Sequence, residues 1–382
     1  MRIASLALHP VRIPLLEPFR ISNGVVAEKD AILVELRTAE GVTGWGEASP
    51  MAGSFYSPDT PESVARALRE RLIPLALSAG EFEPPHFYEW LRAHPGDSFA
   101  KAGLEGAVWD AHAQTAGAPL WRALGAARRP VPSGVALGIY DTLEELLDRV
   151  RQFTAAGYQR VKIKIQPGWD VVPVDAVRRA FPKTPLMVDA NGAYTLAERE
   201  VFRELDRFGL MMIEQPLARE ALEEAAELQR GLRTPLCADE SAESLEALER
   251  IIALGAARII NIKVQRVGGL SEARILHQRA LRAGLACWVG TMPELGVASA
   301  QGLAFAMRDG FAFPTDLEAS RRWYVADLTT PELEIDSAGF LHAPENGFVV
   351  NRQAVEQWRP IPLSSTSPST PRPESSPRAP SC

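Results

Sequence analysis

Lys164, Asp189, Glu214, Asp239 and Lys263 follow one another at intervals of 25, 25, 25 and 24 residues. Each lies in or closes a short apolar run: Val161 to Ile165, Leu186 to Ala190, Met211 to Glu214, Leu236 to Asp239 and Ile259 to Val264. A sixth run, Ala286 to Val289, continues the series. A strand, a helix and two loops need about that many residues, so the spacing predicts successive βα units with one charge at the same place in each. In a closed barrel of parallel strands that place is the C-terminal rim, where five charges would converge on one cavity. An open doubly wound sheet alternates strands and helices too, but no Gly-rich dinucleotide loop follows the first strand, and the barrel is preferred.

Strand parity points the same way. In Val161-Lys162-Ile163-Lys164-Ile165 the apolar residues share one face, which puts both lysines inside the barrel; the same alternation puts Asn261 and Lys263 inside. Buried ammonium groups need carboxylate partners. Three carboxylates on neighbouring strands would repel one another unless positive charge lay among them, so a hard divalent cation is the economical explanation. Oxygen-only ligands select Mg²⁺, with Mn²⁺ as the alternative, over zinc. Taken singly, an acid after a strand is a helix cap or loop group, and a strand lysine sits at a wet end. Capping requires neither the interior parity nor a lysine on each side of three acids.

The rest of the chain bounds the setting. It has 382 residues, 46% apolar and 23% charged, which predicts a folded globular body of two or three domains. A net charge of −7, with no dense basic run, disfavours nucleic acid and anionic membranes as partners. The three cysteines, Cys237, Cys287 and Cys382, suit a reducing compartment, and the opening residues meet Pro10 and Pro14 too early for an export signal, so a cytoplasmic protein is expected. Residues 1–128 read as an α+β unit, with β-rich runs around Ile3 to Ile13 and Ala31 to Leu36 and helical patterns around Glu62 to Leu77 and Lys101 to Thr115. Residues 363–382, with seven Ser and five Pro, read as a disordered tail.

The ordered set Lys-x-Lys, Asp-Ala-Asn, Glu-Gln-Pro, Asp-Glu-Ser and Lys-x-x-Arg-x-Gly-Gly resembles the enolase superfamily, in its muconate-lactonizing branch; enolase-superfamily sites are themselves a standard example of a Lys or His base beside Mg²⁺. Within that branch the segments Gly157 to Asp170 and Ile262 to Gly269 are most similar to o-succinylbenzoate synthases and N-acylamino acid (N-succinylamino acid) racemases. The resemblance runs from about residue 3 to 358. It implies an α/β fold, a modified (β/α)7β TIM-type barrel with an N-terminal α+β capping domain: residues 1–128 as the cap, 129–324 as the barrel and 325–362 as the return of the chain to the cap. Gly44 to Glu47, with Phe55-Tyr56-Ser57 after it, resembles the cap's strand and mobile loop.

Carried over residue by residue, the resemblance makes Asp189, Glu214 and Asp239 ligands of Mg²⁺ and places Lys164 and Lys263 on either side of a substrate α-carbon. Lys162 would help hold the substrate carboxylate or favour the neutral amine at Lys164 by like-charge proximity. Asn191 would contact the substrate or a ligand. The permanent charge of Arg266, three residues beyond Lys263, would favour the neutral amine there. The usual seventh-strand pattern reads here Gly290-Thr291-Met292-Pro293-Glu294-Leu295-Gly296, which leaves Glu294 as a substrate-binding or tuning residue and leaves the substrate's distal group open. The implied enzyme is a lyase or isomerase that removes an α-proton from a small carboxylate: o-succinylbenzoate synthase, a dehydratase of menaquinone biosynthesis, N-succinylamino acid racemase, or both. A homo-oligomer is expected. A dipeptide epimerase would show Asp-x-Asp where Asp316-Leu317-Glu318 stands; a muconate-type cycloisomerase and a binding-only barrel also stay open.

Overall fold

The computed structural model describes residues 1–22, 24–51 and 57–360. The tail at 363–382 and the loop residues Phe55 and Tyr56 lie outside the described residues.

The N-terminal part is a three-stranded antiparallel sheet of β1 (Ile3–Ile21), β2 (Gly24–Thr38) and β3 (Thr43–Ala48). The first strand extends past the apolar run that announced it, because β2 pairs with it along almost its whole length. The register shifts between Pro14 and Phe19, where proline cannot donate to the ladder. Helix Ser98–Thr115 packs on this sheet through small residues. A Cβ added to Gly46 would stand 1.9 Å from the Gly103 carbonyl, so only glycine admits this approach of strand to helix.

The barrel, preceded by a short strand β4 (Val131–Pro132), begins with β5 (Val135–Leu137). It continues through β6 (Val161–Lys164), β7 (Leu186–Asp189), β8 (Ile213–Glu214), β9 (Leu236–Ala238), β10 (Ile259–Ile262) and β11 (Ala286–Val289). From β5 to β11 each strand pairs in parallel with the next. The segment Phe311 to Asp316 closes the ring: Ala312 N and Asp316 N donate to Cys287 and Val289 carbonyls on one side, while Gly134 N donates to the Thr315 carbonyl and Thr315 N to Pro132 on the other.

Alternation sorts the strand residues. Val161, Ile163, Val188, Ile213, Leu236 and Ile260 face the helices in the main apolar core. Met187, Met212, Cys237, Ile259 and Trp288 form a dry layer of their own. Two residues further along their strands come Asp189, Glu214, Asp239, Asn261 and, across β6, the Lys162 and Lys164 pair. The barrel thus has an apolar floor beneath a charged layer.

After the barrel, β12 (Thr329–Thr330), β13 (Phe340–Leu341) and β14 (Val349–Val350) pair as β12 with β14 and β13 with β4. Helix Arg352–Gln357 returns to the N-terminal sheet: Arg12 N donates to the Trp358 carbonyl at 2.9 Å, and Val355 packs with Val11 and Ile13. The tip of the β1–β2 hairpin reaches the barrel rim, where Ile139 N donates to the Arg20 carbonyl at 2.9 Å. Among the described residues no helix is long and apolar enough to cross a membrane.

Candidate active site

Of three consecutive strands, β7 and β8 end in Asp189 and Glu214 and β9 is followed directly by Asp239; on the flanks β6 ends in Lys164 and β10 is followed by Lys263. All five side chains are buried, the three acids to within 1% of complete burial. Lys164 Nζ donates to Asp189 Oδ2 at 2.5 Å and to Asn191 Oδ1 at 2.8 Å. On the other flank, Lys263 Nζ donates to Asp239 Oδ2 at 2.9 Å. Each outer acid therefore has its own lysine. Lys263 stands one residue past β10 rather than within a strand, because Val264–Val267 turns into a short helix closed by Gly269 N on the Val264 carbonyl.

Glu214, the central acid, accepts from Asn261 Nδ2 at 2.7 Å and Lys162 Nζ at 3.2 Å. Burial and the neighbouring Asp189 charge push its carboxyl up to about 8, against the opposing pull of Lys162. Burial works against the charge of Lys162 as well, yet Asp316, Glu214 and Asp189 outweigh it and hold that ammonium well above its usual range. Lys162 is therefore a fixed cation. Burial likewise disfavours charge on Asp239, but Arg266 and Lys263 hold its carboxyl well below the usual range.

Arg266, expected near Lys263, shares a carboxylate with it: its Nη1 is 2.7 Å from Asp239 Oδ1, while Lys263 takes Oδ2. Pairing with a buried acid is the cheaper arrangement for two cations brought to one rim.

Backbone strain braces the rim. Asn191 and Gln215 have φ of 45° and 37°, left-handed values that persist only where surrounding contacts over-determine them. Asn191 N donates to Asp189 Oδ1 at 3.0 Å. Gln215 Oε1 accepts from Asp239 N at 3.0 Å and Ser241 N at 3.1 Å, which aims the Asp239 turn. Asn191 thus touches Lys164 through Oδ1 and Glu240 through Nδ2, the latter at 2.9 Å.

Glu294 lies between barrel and cap. Its Oε1 accepts from Met292 N at 3.1 Å, and burial pushes its carboxyl up to about 7, opposed by Lys29 and reinforced by Glu47. Lys29 of β2 is itself buried and donates to the Ser49 carbonyl at 2.9 Å. Neither Lys29 nor Glu47 was singled out from the sequence, since a lone charge on a strand carries no spacing signal. Arg160, Glu240 and Asp316 were also missed as site residues. Arg160 extends the alternation of Lys162 and Lys164 by one step, a signal present in the same run. It pairs with Asp316 at 2.7 Å, Lys162 engages the other Asp316 oxygen, and both cations lie over the Trp288 ring.

Among the described residues no group of three acid, His or Cys side chains stands in metal-holding geometry, the carboxylate oxygens being turned onto Lys162, Lys164, Lys263 and Arg266. The donor chemistry nevertheless suits a hard cation: three buried carboxylates on adjacent strands, the central one burdened by the charge of its neighbours. Glu240 Oε2, buried beside them, has no hydrogen-bond partner.

Residues 145–353 match the family described as enolase C-terminal domain-like, and residues 3–125 match the mandelate racemase / muconate lactonizing enzyme N-terminal domain. An o-succinylbenzoate synthase of Geobacillus kaustophilus is 42% identical over 361 residues, covering 94% of this chain and 96% of the relative. An N-succinylamino acid racemase of an Amycolatopsis species is 41% identical over 345 residues, covering 90% and 93%. The crystal structure of an enolase-superfamily member from Listeria innocua superposes with a TM-score of 0.90 at 35% identity, covering 94% of this chain and 98% of that one.

Proposed function

This chain belongs to the enolase superfamily, among the relatives of o-succinylbenzoate synthases and N-succinylamino acid racemases, and we propose that it removes the α-proton of a small carboxylate substrate by those two reactions. The observation that carries the reading is a buried lysine on each side of three acids, Lys164 against Asp189 and Lys263 against Asp239. Asp189, Glu214 and Asp239 would hold Mg²⁺, exchanging their ammonium partners for the ion. When bound, the ion supplies positive charge that stabilises the substrate carboxylate as electron density moves onto it.

The proton chemistry belongs to the lysines. Lys164 would take the α-proton on its face. From a β-hydroxy acid the electron pair left on the α-carbon forms the new C=C bond and expels hydroxide, which takes the proton from the Lys164 ammonium and leaves as water; the product is o-succinylbenzoate. From an N-succinylamino acid no group leaves, and an ammonium at Lys263 returns a proton to the opposite face, giving the other enantiomer. The reverse direction exchanges the two roles. Lys162, held charged by Asp316, keeps a fixed positive charge beside Glu214. Asn191 orients Lys164, and Arg266 orients Asp239.

One feature weighs against a dipeptide epimerase. Asp316 is engaged by Arg160 and Lys162, so it does not present a carboxylate for a substrate ammonium group. The purified protein, assayed for o-succinylbenzoate by absorbance and for N-succinylamino acid inversion by polarimetry, is expected to perform both reactions, and to lose them in EDTA and regain them with Mg²⁺. Absence of both reactions with Mg²⁺ present would remove the reading.

A further inference from the structure

The two lysines differ in what holds them. Lys164 belongs to β6, whose position is set by ladders to β5 and β7. Lys263 begins a turn outside the ladder, and the far side of that turn is bound by the N-terminal part of the chain at two points. Gln265 Nε2 donates to the Glu47 carbonyl at 2.9 Å, and its Oε1 accepts from Ser49 N at 3.0 Å, so it completes two backbone bonds at the end of β3. Glu105, in the middle of helix Ser98–Thr115 and 1% exposed, accepts from Ser271 N at 3.2 Å and from Trp109 Nε1 at 3.3 Å.

Glu105 performs the role of an N-cap. Helix Leu270–Arg282 starts at Gly269 with no capping side chain of its own, leaving its first N–H groups for an acceptor from elsewhere. Gly269 has φ of 132°, and a Cβ there would lie 2.0 Å from Glu105 Oε2, so the backbone comes up directly against the carboxylate. The Gly268-Gly269 pair is what allows this approach. Lys263 stands two residues before the first anchor and Arg266 one residue after it, and both engage Asp239.

We propose that Glu105 and Gln265 are positioning residues that clamp the Lys263 turn to the N-terminal domain, so that the protonation step on the Lys263 face, and not that on the Lys164 face, depends on this docking. The inference rests on the two-lysine reading of the site. It makes the capping domain a determinant of the balance between the reactions: inversion needs both faces, whereas dehydration begins on the Lys164 face alone.

The test uses the full chain with Mg²⁺, in unaltered form and as Glu105→Ala, Glu105→Gln and Gln265→Ala. α-Proton exchange of each enantiomer of N-succinylphenylalanine in D₂O is followed by NMR, and the Lys263 face is identified as the exchange lost in Lys263→Ala. Glu105→Ala and Gln265→Ala are expected to slow exchange on that face about tenfold or more, while the Lys164 face stays within about twofold. Glu105→Gln, which keeps an acceptor, should recover most of the loss. Hydrogen-exchange mass spectrometry of the same proteins should show faster exchange at residues 264–271, and also at Ser49 in Gln265→Ala, where that N–H loses its acceptor, with residues 161–165 unchanged. Equal slowing on both faces, or unchanged rates in both Gln265→Ala and the Glu105 variants that fold, would overturn the clamp. Should the unaltered protein exchange neither enantiomer, the catalytic reading fails and hydrogen exchange decides alone: loosening at 264–271 with residues 161–165 unchanged supports the clamp, and no loosening at 264–271 overturns it.

Discussion

Lys263 donates to Asp239 at 2.9 Å, on the carboxylate oxygen that faces away from the one Arg266 engages. One acid thereby fixes an amine proposed to be catalytic and a permanent cation, and it is also one of the three expected metal ligands. Asp239→Asn should weaken Mg²⁺ binding at least about tenfold by calorimetry and lower turnover with it, because the amide carries no charge for the ion. Unchanged affinity would remove Asp239 from the ligand set.

The Arg266 contact is expected to separate the two proposed reactions. Losing its hold on Asp239 Oδ1 frees the carboxylate to shift on Lys263, which must act as both acid and base in racemisation but is no base in dehydration. Arg266→Gln is expected to slow N-succinylamino acid racemisation about tenfold more than o-succinylbenzoate formation, a differential of about 1.4 kcal/mol. Side-by-side assays on one preparation read this directly, and an equal fall in both rates would make Arg266 a structural residue.

Asp316 supports two buried cations, Arg160 and Lys162. Asp316→Asn takes from Arg160 its carboxylate partner and leaves Lys162 only Glu214 and Asp189, so a loss of about 3 kcal/mol in urea unfolding is expected. A loss below about 1 kcal/mol, within the range of surface pairs, would mean that Glu214 and Asp189 already neutralise Lys162.

Glu35 ties the N-terminal sheet to the C-terminal helix. Arg352, above all, with Arg37 and His9, holds its carboxyl down to about 2. A carboxyl depressed in the folded state contributes stability that is present above its unfolded value of about 4.5 and is lost as pH falls toward about 2. With both arginines more than half exposed, the screened contribution is about 1 kcal/mol. Glu35→Gln should therefore unfold at lower temperature than the unaltered protein at pH 7, and the gap should close near pH 2. A gap that is constant with pH would point to packing instead.

The charged layer was legible in the sequence because βα repetition spaces its members evenly and strand parity points them inward. Asp189, Glu214, Asp239, Lys164 and Lys263 all obey both rules. Asp316 breaks the spacing, as the closing segment Phe311 to Asp316 is an irregular strand that ends no apolar run of the earlier kind. Glu47 and Glu105 obey no rule visible along the chain. They act on helix starts 248 and 166 residues away, and only the docking of cap on barrel brings them there. The neighbourhood of Arg266 was legible from its place three residues beyond Lys263, but spacing gives proximity and not which carboxylate oxygen a guanidinium will take.

The chemistry proposed for the site turns on the two-face arrangement of the lysines, and α-deuterium incorporation into single enantiomers of N-succinylphenylalanine by the Lys164→Ala and Lys263→Ala variants tests it most directly. Lys263→Ala should still exchange one enantiomer through Lys164 without inverting it, and Lys164→Ala should exchange only the other, at best, with dehydration abolished. Exchange of both enantiomers at equal rates in either variant would contradict it.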